Sequence, residues 1–139
     1  MATIKRFEEM DSWKLARDLC QKIGKVIDDG KLKKNYRLID QIEGSSGSIM
    51  DNIAEGFERG IRGEFITFLG YSKGSCGELR SQSCRALDRD YLSKDQFDEF
   101  YMMTVRISAI LQKFIEYLQK KEIKGVRKKL LPDLNPSTK

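Results

Sequence analysis

Phe97, Phe100, Thr104, Ile107, Leu111, Phe114 and Leu118 recur at alternating spacings of three and four residues. That spacing lays them along one face of an α-helix, and Met103, Ile110 and Tyr117 flank the stripe and widen it. Each large apolar side chain taken out of water contributes about 1.5–3 kcal/mol, so a stripe this long requires partner helices of similar length beside it. Ser93-Lys-Asp-Gln96 stands directly before the stripe in capping-box form, where the serine and glutamine side chains each satisfy a backbone amide of the other's turn. A helix over about 94–121 is expected.

The rest of the chain supplies the partners. Trp13, Ala16, Cys20, Ile23 and Ile27 repeat at helical spacing, with Leu19 and Val26 beside them, over about 11–28. Asp11 or Ser12 is the expected N-cap, and Gly30 ends the helix. After Lys31 to Lys34, Asn35 caps a second helix over about 36–57, with Leu38, Ile42, Ser46, Ile49, Ile53 and Phe57 on one face. Gly60 and Gly63 bracket the next turn. A third helix over about 64–90 carries Phe65, Phe68, Leu69, Ser72, Cys76, Leu79, Ser83, Ala86 and Leu87. Four long helices with short connections predict an all-α, up-down-up-down four-helix bundle occupying residues 1–121. Residues 122–139, with Gly125, Leu130-Leu131-Pro132 and Asn135-Pro136, read as a basic, disordered tail.

Composition narrows the function classes. A chain of 139 residues holds one domain with a modest core. It contains no histidine, so the commonest general base and zinc ligand is missing, and no enzymatic activity, cofactor or metal is expected. Cys20, Cys76 and Cys84 form no C-x-x-C pair and no disulfide framework. With no signal-like or membrane-length apolar run, a cytoplasmic protein without a membrane partner is expected. The net charge of +5 is local: residues 120–139 hold seven Lys/Arg against Glu122 and Asp133, and residues 1–119 hold nineteen of each sign.

Helices two and three are rich in small residues. Gly44, Gly47, Gly70, Gly74 and Gly77 each cost about 1 kcal/mol relative to alanine in a helix interior, and close approach of another helix is the expected compensation. Beside the apolar stripes run Gln41, Ser45, Ser48, Asn52, Glu55 and Arg59 on helix two and Tyr71, Ser75, Glu78, Gln82 and Arg85 on helix three. A solvated face favours long Lys and Glu, whereas serine, asparagine and glutamine donate and accept across a packed surface. These stripes are read as an interhelical or intersubunit hydrogen-bonded seam, the alternative being a solvated face.

The order Tyr36-Arg-Leu38, Gln41-Ile42, Ser48-Ile49, Asn52-Ile-Ala-Glu-Gly56, Glu64-Phe65, Phe68-Leu69, Lys73-Gly-Ser75 and Glu78-Leu79 resembles the bacterial four-helix bundle proteins encoded in intervening sequences of large-subunit ribosomal RNA genes. The accessory variability protein of diversity-generating retroelements is a related branch. The resemblance spans about residues 7–120 and implies a protomer that assembles into a homo-oligomeric ring, commonly a pentamer, with no assigned enzymatic activity and suspected nucleic-acid binding. Two positions depart from the pattern. Glu43 and Gly44 replace a basic pair usual after the Gln-Ile of helix two, and Ile61-Arg62-Gly63 replaces the Ser or Thr usual before helix three.

Two functions follow as expectations. The first is salt-sensitive, sequence-tolerant binding of RNA or DNA through basic clusters: Lys31, Lys33, Lys34 and Arg37 at one bundle end, Arg59 and Arg62 at the other, and Lys120, Lys121, Lys124, Arg127, Lys128 and Lys129 in the tail. The alternative is a scaffold that recognises a protein partner. Acid–base work by Glu55 and Glu78 near Asn52, Ser75 and Cys76 is the weaker third reading.

Overall fold

The computed structural model describes residues 3–123, with side chains through Lys120. A 3-10 turn (Phe7–Glu9) leads into α1 (Asp11–Asp28), α2 (Tyr36–Arg59), α3 (Arg62–Asp88) and α4 (Lys94–Ile123). Each helix packs on the next in sequence and α1 closes onto α4, giving an all-α four-helix bundle, with no β-strand among the described residues.

The apolar periodicities become the core. Along α4, Phe100, Ile107, Leu111, Phe114 and Leu118 are buried with Thr104, whose hydroxyl donates to the Tyr101 carbonyl at 2.8 Å. In α1 the centre of the stripe is Ala16, Leu19, Ile23 and Val26, while Trp13, Cys20 and Ile27 are only half-buried. Leu19 and Val26 are thus central residues rather than the margin.

Local signals set most of the ends. Asn35 Oδ1 accepts the Leu38 amide at 3.1 Å and starts α2. Ser93 and Gln96 exchange their two capping bonds, at 3.1 and 2.9 Å, and start α4. Gly60 takes a left-handed φ of 73° that ends α2 and allows a two-residue turn into α3. The start of α1 differs from expectation: Met10 is the N-cap and no side chain caps the helix, because Asp11 is already its first residue and Ser12 is buried. α3 also begins without a side-chain cap, at Ile61.

The glycines divide sharply. A Cβ on Gly44, Gly47, Gly70 or Gly74 would meet nothing within 4 Å, and one on Gly77 would meet only Arg80 Nη2 at 3.8 Å. Their expected close packing is therefore absent within the protomer. The close approach is at Gly56, where a Cβ would fall 2.7 Å from Phe68 Cβ and 2.9 Å from Phe65 Cδ1. In urea denaturation, Gly56→Ala is expected to lose about 1–3 kcal/mol from overpacking. Gly74→Ala, with open space around it, is expected to raise protomer stability by about 1 kcal/mol; equal effects at the two positions would contradict the packing described.

Candidate functional site: a polar seam and a basic bundle end

Ser45 and Ser48 on α2 meet partners from α3, and Asn52 bonds back to Ser48 within α2. Ser45 Oγ donates to Gln82 Oε1 at 2.6 Å, with both residues buried. Ser75 Oγ donates to Ser48 Oγ at 3.0 Å, and Asn52 Nδ2 donates to both the Oγ and the carbonyl of Ser48, each at 2.8 Å. Nearer the other end, Arg85 donates to Gln41 Oε1 at 2.9 Å. One more rung, from Ser72 Oγ to the Ile49 carbonyl at 2.7 Å, comes from a residue that sequence periodicity placed in the apolar stripe. These bonds run within one chain. Glu55 is turned away to pair with Arg59, Tyr71 packs edge-on against Phe68, and Glu78 is exposed and joined to none of them.

Among the described residues of the seam, no serine or cysteine is hydrogen-bonded to a carboxylate. Burial pushes the Cys76 thiol up to about 12, against the weaker downward pull of Arg80 and Lys73. Burial likewise raises Cys20, whose thiol donates to the Ser46 carbonyl at 3.0 Å. Cys84 is exposed. Among the described residues no group of three or more acidic or cysteine side chains converges as a metal site.

The basic clusters meet three different fates. Arg62 is fully buried, so it presents no charge to a ligand, a correction to its sequence assignment. Arg59 is exposed but held by Glu55 at 3.1 Å and Glu64 at 3.5 Å, with its guanidinium 4.8 Å from the centre of the Phe68 ring. Its hydrogen bond to Glu55 is the main effect holding its pKa above the usual arginine value. At this bundle end, therefore, Arg59 is balanced by two carboxylates and Arg62 is out of reach of solvent. In the tail cluster Lys120 is exposed, while the Lys121 side chain and Lys124, Arg127, Lys128 and Lys129 lie outside the described residues.

At the opposite end, Lys31, Lys33, Lys34 and Arg37 are all exposed, and none forms an ion pair among the described residues. Their loop is pinned from beneath. Leu32 is 1 % exposed, so its neighbours Lys31 and Lys33 must project outward. Left-handed backbone at Gly30 (φ 74°) and Lys33 (φ 59°) makes the tight path possible. The Lys33 amide bonds to the Gly30 carbonyl at 3.1 Å, and Asn35 Nδ2 reaches Tyr91 Oη of the α3–α4 loop at 3.5 Å. A concavity of about 520 Å³ opens between the two loops, with Lys31 and Lys33 beside Asp29 and Asp90. Its mixed charge makes the outer rim, from Lys33 to Arg37, the more positive surface. Sequence reasoning missed one member of that rim, Tyr36, which is 65 % exposed; an aromatic inside a run of cations was the available signal.

An all-α four-helix bundle with an internal polar seam and one end bearing four exposed cations without ion pairs among the described residues is the class that these features define. The sequence model of the 23S rRNA-intervening sequence protein family matches residues 8–113, and the chain belongs to that family. Among curated proteins none matches the chain. No helix among the described residues is long and apolar enough to cross a membrane.

The seam makes a direct prediction. Replacing Ser45 leaves the buried Gln82 amide without its bond, at a cost of about 1–3 kcal/mol, whereas on loss of Gln82 the Ser45 hydroxyl keeps the Ile42 carbonyl at 3.3 Å. A double-mutant cycle with Ser45→Ala and Gln82→Leu is expected to return a coupling of about 0.5–3 kcal/mol; additive losses would show that the pair does not interact. Thiol labelling of the native protein near pH 8 is expected to modify Cys84 quickly, Cys20 slowly and Cys76 only on unfolding.

Proposed function

We propose that this protein is a non-enzymatic homo-oligomeric bundle that binds RNA or DNA, with little sequence preference, through the α1–α2 loop end. The observation that carries the reading is that Lys31, Lys33 and Lys34, on a loop pinned by Leu32, and Arg37, in the first turn of α2, are four exposed cations without an ion pair among the described residues. Exposed cations held on a rigid support bind phosphate without first having to give up an internal partner. Asp29 and Asp90 border the concavity beside Lys31 and Lys33, while along α2 the first acid beyond Arg37 is Asp40.

Oligomerisation, a pentameric ring by resemblance, is supported by the outward glycines. Gly44, Gly47, Gly70 and Gly74 carry the helix-propensity cost of glycine with no compensating contact inside the protomer, and a neighbouring subunit would supply one. A ring repeats the basic end once per subunit, and avidity then multiplies a weak individual contact. A protein-interaction scaffold is the second reading, favoured by Tyr101, Met102 and Val105, which expose apolar surface along α4.

Light scattering after gel filtration is expected to give a mass several times that of the 16.1 kDa protomer. Fluorescence anisotropy with labelled oligonucleotides is then expected to show affinity falling steeply with salt. Each of Lys31, Lys33, Lys34 and Arg37 changed to Gln is expected to flatten the log–log salt slope by about 0.7–0.9, whereas Arg59→Gln leaves it unchanged. No binding by the intact protein at low ionic strength would overturn the nucleic-acid reading and leave the scaffold.

A further inference from the structure

We infer that the basic bundle end selects single-stranded over double-stranded nucleic acid by stacking an unpaired base on Tyr36, an inference that rests on the nucleic-acid reading above. Tyr36 is the first residue of α2, directly after the Asn35 cap, and its side chain stands outside the bundle. Among the described residues it is the tyrosine whose ring has no partner. Tyr71 packs on Phe68, Tyr91 lies under Arg89, Tyr101 meets Phe97 and Arg80, and Tyr117 packs on Phe114. The Tyr36 ring therefore keeps its faces available.

Its surroundings suit a nucleotide strand. Lys33 and Lys34 precede it and Arg37 follows it along the chain, all exposed and outside any described ion pair, so a strand whose base stacks on the ring has exposed cations close in sequence for its phosphates. The support is stiff: Asn35 holds the helix start through the Leu38 amide and ties it to Tyr91 across the loops. An exposed ring on a fixed backbone, between cations, is the arrangement by which single strands are held without sequence readout. A duplex satisfies the cations equally well but keeps its base faces stacked inside, so the ring adds nothing to duplex binding.

The test compares a 20-nucleotide oligouridylate, the matching oligothymidylate and a 20-base-pair mixed-sequence DNA duplex in anisotropy titrations at low salt, with the full chain and its Tyr36 variants. Wild type is expected to prefer both single strands to the duplex. Tyr36→Ala and Tyr36→Leu are expected to lose about tenfold on the single strands and nothing on the duplex, while Tyr36→Phe retains wild-type binding. Circular dichroism and light scattering should match wild type for all three variants, because the side chain is largely exposed and makes no ring contact or side-chain hydrogen bond among the described residues that the substitutions would remove. Undiminished single-strand binding by Tyr36→Ala, or an equal loss on duplex and single strands, would overturn the stacking inference while leaving the lysine-dependent binding intact. Absence of wild-type binding to all three probes would instead overturn the nucleic-acid reading, and this inference with it.

Discussion

The bundle is organised around the closeness of α2 and α3. At Gly56 the two helices approach so tightly that a single methyl group would collide with Phe65 and Phe68. Side chains as short as serine can therefore bridge the gap farther along. Ser72 reaches the Ile49 carbonyl, Ser75 reaches Ser48, and Ser45 reaches Gln82. Apolar packing alone tolerates small slippage of one helix along another, because many registers bury similar area. Directed bonds between short buried groups do not, since a shift leaves several donors and acceptors unmet at about 1–3 kcal/mol each. The α2–α3 hairpin is in this sense the rigid unit on which α1 and α4 pack through their apolar stripes.

That rigidity bears on charge. Lysine and arginine look alike in a sequence, yet here their surroundings separate them. Arg62 disappears into the bundle, Arg59 is balanced by two carboxylates, and the cations from Lys31 to Arg37 stay open to solvent at the far end. The fixed start of α2 and the burial of Leu32 decide the last of these outcomes, since together they orient the short loop and leave its charged neighbours no inward route. A nearly neutral body with its unpaired cations gathered at one end is a more specific surface than the overall net charge suggests.

Fold was legible in the sequence mostly where a feature is local or periodic, the start of α1 at Met10 being an exception. The heptad on α4, the Asn35 cap and the Ser93–Gln96 box each rest on residues a few positions apart, and all three stand in the structure. What depended on facing elements was harder to read. Glycines at helical spacing pointed to close packing at Gly44, Gly47, Gly70, Gly74 and Gly77, yet the contact lies at Gly56, because only the crossing of α2 over Phe65 and Phe68 decides which glycine is crowded. Arg59 and Arg62 looked like a basic pair for the same reason: nothing in their spacing reveals that one side chain turns inward while the other meets Glu64 across the turn. Tyr36 went unnoticed as a surface group because a tyrosine at the start of a helix reads equally well as core.

Lysine footprinting tests the central claim most directly, since it asks the unmodified protein where nucleic acid sits. Bound and free protein would be acylated briefly at low salt and mapped by mass spectrometry. Protection is expected to concentrate on Lys31, Lys33 and Lys34, with Lys14 and Lys113, exposed elsewhere on the bundle, reacting equally in both states. Protection spread evenly over the surface, or centred away from the α1–α2 loop, would contradict the assignment of binding to this end of the bundle.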